Sequence, residues 1–365
     1  MRKLLLLAGE ESGVAYAEGV RARLGEGWDV RGYADYGFAT ADLAVMGFWA
    51  VLRRLGFFLR VKRTMERAID AWRPDVVCTV DYPGLNLKLA AYAKARGIRA
   101  VHVVAPQVWA WRKGRIPAIE AALDRLCCFF PFEPELFRPG LATFVGHPLV
   151  EAFRSCRRES APGLVALLPG SRLGEIDRHL PTLLEAVREL DADVVIPAAH
   201  ARARVEIERI VRRAPAGRAR VRVQDGGARE LLLKARCAAV ASGTATLEAA
   251  LARCPTVLVY RVSAALAWFA RRVIREISHV GLANVVWEKC GRRGAEPMPE
   301  LLQEAFTAEA VRDRLVKMLR DDEAHGQAVA ALDATMALLE SASAERGGAD
   351  PLGLVAREIA GVGGN

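Results

Sequence analysis

Several features are scarce or missing in this chain of 365 residues, and each absence excludes a class of protein. No uninterrupted apolar stretch reaches about 18 residues, so the sequence offers no bilayer-spanning helix. The seven cysteines, at 78, 127, 128, 156, 237, 254 and 290, form no C-x-x-C pair and fall mostly in apolar runs. That pattern speaks against a disulfide scaffold and for buried thiols in a reducing, cytoplasmic setting. There is no low-complexity arginine tract, zinc-finger spacing or RNP-like motif, which ranks nucleic acid last among partners. No Walker lysine motif and no Asp-x-Asp pair is present, so ATP chemistry and a metal-held diphosphate are both disfavoured. The apolar start, Leu4 to Leu7, is too short for a signal peptide and runs into Glu10-Glu11. It reads as a first buried strand.

What is present describes a folded protein. Apolar residues make up 52% and charged residues 26%, which gives ample core. The length exceeds the usual single-core limit of roughly 250–300 residues, so two domains are expected. The net charge of +9 implies an anionic partner, either phosphorylated substrates or an acidic membrane face.

Short apolar runs alternate with amphipathic helical patterns. Strands are expected at Lys3–Ala8, Asp29–Ala34, Asp75–Asp81, Arg99–Ala105, Arg125–Phe130 and Thr143–Val145. After the charged stretch Arg154–Glu159, the series restarts at Leu164–Leu168, Ala192–Pro197, Arg220–Gln224, Cys237–Ala241 and Thr256–Tyr260. Apolar strands with helices between them imply parallel sheets covered on both faces. The expectation is an α/β chain of two doubly wound, Rossmann-like domains facing across a cleft, divided near 155–162. Ligands in such sheets sit at the carboxyl ends of strands.

The polar motifs cluster at those ends. Ser242-Gly243-Thr244-Ala245-Thr246-Leu247-Glu248 turns from a buried strand directly into a helix, presenting backbone N–H groups, hydroxyls and the positive helix dipole to a phosphate. Glu248 is placed for sugar hydroxyls; a capped helix with an exposed Glu is the plainer alternative. Pro169-Gly170-Ser171-Arg172 repeats the pattern and adds a guanidinium suited to phosphate. Two such loops on one sheet fit a diphosphate. Gly9-Glu10-Glu11-Ser12-Gly13 is a tight strand–helix turn aiming Glu10 at the inter-domain cleft, or a structural turn. Asp81, held by Pro83-Gly84, is placed as a general base or as a helix cap. Trp109, Trp111 and Arg112 form an acceptor wall or pack in the core. His147 meets a substrate phosphate or is a satisfied structural histidine. The stretch 46–63 mixes bulky apolar residues with Arg53, Arg54, Arg60, Lys62 and Arg63, as an interfacial membrane helix does; core burial explains its apolar residues alone. Residues 268–275 offer the same option.

Taken in order, Gly9-Glu10-x-Ser12-Gly13, Asp81-x-Pro83, Pro106-x-Val108-Trp109-Ala110-Trp111, Pro131-Phe132-Glu133, Gly146-His147-Pro148, Pro169-Gly170-Ser171-Arg172-x-x-Glu175 and Ser242–Glu248 resemble the lipid-A-disaccharide synthases, GT-B glycosyltransferases of family 19. The similarity runs from residue 3 to about 320 and includes Asn284.

The resemblance implies an inverting transfer from UDP-2,3-diacylglucosamine to 2,3-diacylglucosamine 1-phosphate (lipid X), releasing UDP. It implies an acceptor domain over 1–155 with the membrane-contact segment 46–63. A UDP-sugar domain would span 162–330, followed by a helical surface tail over 331–365. Asp81 and Glu10 match the catalytic positions. Gly170, Ser171, Arg172, Ser242, Gly243, Thr244, Thr246, Glu248 and Asn284 match donor positions, and Ser12, Gly13, Trp109, Arg112 and His147 acceptor positions. No metal and no cofactor are expected. The partners would be the two acylated sugars and the cytoplasmic face of the inner membrane, held peripherally; a homodimer occurs in the family. Val14 stands where the family usually has Asp, Ala283 replaces a usual Pro, and 287–294 is atypical. Rival readings are another GT-B enzyme using UDP-GlcNAc, either a lipid-linked acceptor transferase or a 2-epimerase, and a non-catalytic lipid- or nucleotide-binding relative.

Overall fold

The computed structural model describes residues 1–43, 54–110, 113–263, 278–291, 296–344 and 350–361. The chain divides into two compact units, Met1–Pro148 with Ala342–Asn365, and Leu149–Ser341.

The first unit holds strands β1 (Arg2–Ala8), β2 (Trp28–Arg31), β3 (Val76–Val80), β4 (Arg99–Val103), β5 (Arg125–Cys128) and β6 (Ala142–Phe144). They form one sheet in the order β2-β1-β3-β4-β5-β6, parallel throughout. Side chains alternate across it. Leu4 and Leu6 pack with Ala17 and Val20 of the Glu11–Arg21 helix and with Val355 and Ile359. Leu5 and Leu7 pack on the other face with Val61, Met65 and Ile69 of the Leu55–Trp72 helix and Leu85 and Leu89 of the Pro83–Lys94 helix. Helices on both faces are why these strands read as continuous apolar runs.

The second unit repeats the plan with β7 (Ala161–Leu168), β8 (Asp193–Ala198), β9 (Arg220–Asp225), β10 (Ala235–Ala241), β11 (Thr256–Tyr260) and β12 (Glu300–Leu302). Their order is β12-β11-β10-β7-β8-β9, again parallel.

Both sheets contain a point where the winding reverses, between β1 and β3 in the first unit and between β7 and β10 in the second. Crevices outside the strand ends open at such points. Ala8 lies opposite Val80, and Leu168 opposite Val240. The register therefore sets the Gly9–Gly13 loop beside Asp81, and the Pro169–Arg172 loop beside Ser242.

Two expected boundaries are corrected. The charged stretch after Pro148 is not a linker but part of the second unit. Arg158 donates to the carbonyls of Leu232 at 3.0 Å and Ala235 at 2.8 Å, and Arg229 lies over the Phe153 ring. Nor is the tail a surface appendage. The helix Asp322–Ala344 buries Leu332, Met336 and Leu339, and the helix Pro351–Ala360 completes the first unit's core with Val355 and Ile359. Arg23 pairs with Asp350, and Arg99 donates to the Glu358 carbonyl at 2.9 Å, which pins that last helix in place.

Of the basic apolar stretch 46–63, residues 46–53 lie outside the described residues, as does all of 268–275. From Leu55 the chain is helical. One face is buried, while Leu55 and Leu59 remain 48% and 44% exposed alongside exposed Arg60 and Arg63. Among the described residues no helix is long and apolar enough to cross a membrane.

Candidate active site

The first unit's site is built on two consecutive residues that break a backbone rule. Asp81 and Tyr82 have φ of +49° and +51°, the left-handed region where a Cβ is disfavoured. Pro83 contributes, because its ring keeps the preceding residue out of the right-handed helical region. The remaining cost is met by Asn86, which is fully buried one turn into the helix. Its amide donates to the carbonyls of Asp81 at 2.8 Å, Val80 at 3.1 Å and Leu7 at 3.3 Å, while the Tyr33 hydroxyl donates to its Oδ1 at 2.7 Å. The Asp81 N–H is held by the Val103 carbonyl at 2.9 Å. Strain of this kind, about 1–3 kcal/mol per residue, persists where surrounding structure over-determines it, and it clusters at functional sites.

Asp81 Oδ1 accepts the Tyr82 N–H at 2.8 Å. Burial raises the carboxyl above the ordinary aspartate value, against that hydrogen bond. Partial desolvation makes it a stronger base than an exposed aspartate. Glu10, in extended backbone, precedes the Glu11–Arg21 helix. The Tyr82 hydroxyl is pushed up first by burial and then by the Glu10 carboxylate, which places that charge within reach of the loop. Ser12 is exposed on the first turn, and Gly13 is buried against Val80. Val14, standing where a carboxylate was expected, packs into the apolar cluster on that face.

At the ends of β4 to β6 an aromatic group forms a second wall. Trp109 is buried and meets Phe132 edge-on at 5.9 Å; Phe132 stacks on Phe130 at 5.7 Å. His147 lies between Phe129 and Phe130 at 5.4 and 5.3 Å. Burial pushes this histidine down to about 3, so the imidazole is neutral here. Arg112 lies outside the described residues. Sequence reasoning passed over Glu133, which is 3% exposed, accepts the Phe130 N–H at 3.1 Å and is pushed up to about 8 by burial. The signal was present in the Pro-Phe-Glu motif.

In the second unit, Gly170 has φ of +114°, and a Cβ there would meet Glu175 Oε2 at 2.5 Å. Only glycine lets the loop turn over that carboxylate. Ser171 is exposed. Arg172, at the start of the Leu173–Val187 helix, pairs with Glu175 at 2.6 Å while half its side chain stays exposed. A buried carboxylate thus aims the guanidinium without neutralising its outer edge. His179, a second residue not foreseen, accepts the Arg261 N–H at 3.0 Å on Nε2, so its Nδ1 donates to the Pro169 carbonyl at 2.9 Å. It ties the loop after β7 to the end of β11. Its spacing from Glu175, one helical turn, was the available clue.

The Thr244–Leu251 helix begins after Gly243, at φ of +151°, without a side-chain cap. The exposed Thr244 and the N–H groups of the first two residues stand at the positive end of the dipole, while the Thr246 N–H turns back to the Gly243 carbonyl at 3.1 Å. The other two hydroxyls are engaged by the protein. Ser242 Oγ donates to the Val280 carbonyl at 3.1 Å, and Thr246 Oγ1, fully buried, donates to the Gly243 carbonyl at 2.7 Å. Thr246 therefore shapes the turn. Asn284 likewise is buried and spent on Met298, whose carbonyl it donates to at 2.7 Å and whose N–H it accepts at 3.1 Å, and on Glu300 at 2.9 Å. Glu248 is partly buried and raised by that burial, with Arg229 opposing.

The family model for lipid-A-disaccharide synthetase matches residues 5–348. The chain is 37% identical over 320 residues to the lipid-A-disaccharide synthase of Chromohalobacter salexigens, covering 82% of this chain and 81% of that one. The chain belongs to the lipid-A-disaccharide synthase family. Members of this family are glycosyltransferases of lipid A synthesis. Solved structures share the fold at low identity. Acinetobacter baumannii MurG has a TM-score of 0.54 and 14% identity, over 93% of this chain and 98% of that one. UGT89C1 of Arabidopsis thaliana, solved with UDP-L-rhamnose, has a TM-score of 0.57 and 14% identity, over 98% of each. The architecture is GT-B.

Proposed function

We propose that this chain transfers 2,3-diacylglucosamine from UDP to the 6-hydroxyl of 2,3-diacylglucosamine 1-phosphate, with inversion. Asp81 takes the proton from that hydroxyl, whose oxygen attacks the anomeric carbon of the donor as the bond to UDP breaks. Glu10, on the adjoining loop, holds the acceptor with Ser12 and Gly13, while the Trp109 wall limits the pocket. The departing diphosphate gathers negative charge, which Arg172 and the open N–H groups and hydroxyl at Thr244 stabilise. Glu248 serves the ribose hydroxyls. Gly170 and Gly243 allow backbone to approach the diphosphate, and Ser171 flanks it. His179, Ser242, Thr246 and Asn284 hold these loops in shape. The positive charge for the leaving group comes from protein groups, so the proposed step uses no metal.

The observation that carries this reading is the strained pair Asp81-Tyr82, fastened by Asn86 at the winding reversal of its sheet. A helix cap requires no such conformation. Both substrates are acylated, and the exposed Leu55, Leu59, Arg60 and Arg63 suit peripheral contact with an anionic inner-membrane face.

The test is Asp81→Asn, assayed by mass spectrometry with acylated UDP-glucosamine and lipid X. Turnover is expected to fall by about 10²–10⁴, the usual contribution of a general base, while UDP affinity by calorimetry stays unchanged. Turnover at the level of the unaltered protein would retire Asp81 as the base.

A further inference from the structure

Tyr82 is placed where four separate structures meet. Its N–H donates to the Asp81 carboxylate at 2.8 Å. Its ring lies so close over Gly9 that a Cβ there would stand 2.7 Å from Cδ1, which fixes the loop carrying Glu10. Its hydroxyl donates to the carbonyl of Leu43 at 3.0 Å, at the end of the Thr40–Leu43 helix. Its ring also packs against Phe58 at 6.5 Å on the Leu55–Trp72 helix. Phe58 in turn meets Phe57 at 5.4 Å, and Phe57 meets Phe38 at 6.1 Å. Arg54 joins the same corner, donating to the Asp42 carbonyl at 3.0 Å and lying over Phe57.

This corner is the inner side of the basic apolar helix. On the outer side, Leu55 and Leu59 stand exposed alongside Arg60 and Arg63. Apolar anchors flanked by cations match an anionic phospholipid surface in charge and in chemistry. A tyrosine needed only for packing has no use for a left-handed backbone, and a phenylalanine would fill the same space.

We infer that Tyr82 is a positioning residue that couples seating of the Leu55–Trp72 helix on anionic lipid to the setting of Asp81 and the Glu10 loop. Lipid contact at Leu55 and Leu59 fixes the start of that helix, and through Phe58 and the Leu43 carbonyl it restrains the Tyr82 ring. A restrained Tyr82 holds its N–H on the Asp81 carboxylate. The inference rests on the transfer reading above and adds that the site is set by the surface on which its acylated substrates reside.

Hydrogen exchange by mass spectrometry on the full chain, with and without vesicles of phosphatidylglycerol, compares the unaltered protein with Tyr82→Phe. Vesicles are expected to protect the amides of 55–60 in both. In the unaltered protein they also slow exchange over 81–88 by about tenfold; in Tyr82→Phe that second effect is expected to shrink below about twofold. In turnover, Tyr82→Phe lowers kcat for vesicle-borne acceptor and leaves KM for the sugar nucleotide unchanged, a split that general loosening would not give. The inference is overturned by protection of 55–60 without any change at 81–88. An equal response in Tyr82→Phe, or no protection by vesicles at all, overturns it as well. Absent turnover with the exchange pattern intact counts against the transfer reading and leaves the coupling standing.

Discussion

Glu133 carries the prediction with the most definite magnitude. Its carboxyl is raised from 4.5 to about 8 by burial, opposed by the Phe130 N–H. The folded protein therefore keeps it neutral at pH values where the unfolded chain has lost the proton. The unfolded state then binds fewer protons, so stability falls as pH rises through the window from about 4.5 to 8. A displacement of about 3.5 pH units, at 1.36 kcal/mol each, comes to about 5 kcal/mol. In the folded protein His147, down at about 3, and Cys128, well above 9, stay neutral across that window, and their titration in the unfolded chain is common to both proteins and cancels from the difference. Glu133→Gln keeps the shape and removes the titration. Chemical denaturation of both proteins between pH 5 and pH 8.5 should show little difference at the acid end. The difference should then grow by about 1.4 kcal/mol per pH unit in favour of the glutamine protein and level off above pH 8. A difference that does not vary with pH would refute the assignment of a neutral, buried carboxyl.

The other predictions are simpler. Arg172→Ala should weaken UDP binding by about 10- to 100-fold in calorimetry, the worth of a charge-assisted hydrogen bond; Arg172→Lys should recover only part, because a point charge lacks the planar fork. Asn284→Ala strands the buried Met298 N–H and carbonyl, so the second unit should lose about 2–3 kcal/mol in denaturation. Leu55→Glu with Leu59→Glu should cut partition onto anionic vesicles by more than about tenfold in a flotation assay. The melting temperature should hold, since both side chains are exposed.

Much of the fold was legible because both sheets are parallel and covered on both faces. Leu4 to Leu7, Val76 to Val80 and Cys237 to Ala241 are runs that only a doubly covered strand explains. The missing strand was β12, whose three residues sit at an edge and carry no run long enough to see. The unit boundary was misplaced because Arg154–Glu159 has the composition of a linker, whereas Arg158 is consumed by backbone carbonyls that no local pattern reveals. The charge state of His147 was likewise hidden, since burial between two phenylalanines sets it. The backbone partners of the Thr246 hydroxyl and the Asn284 amide could not be read from sequence, because Gly243 and Met298 become neighbours only through the turn and the fold. The positions of Asp81, Arg172 and Gly243 just past the ends of strands were readable, since each follows an obvious apolar run.

The helix Pro351–Ala360 has a consequence for biosynthesis. The unit whose strands are made before those of the other lacks one wall until residues 351–360 emerge, some two hundred residues later. At about 5–20 residues per second that delay is roughly 10–40 s. During it, the apolar surface later covered by Val355 and Ile359 is open to chaperones, and messages cut short before codon 351 would yield a product with that surface permanently bare.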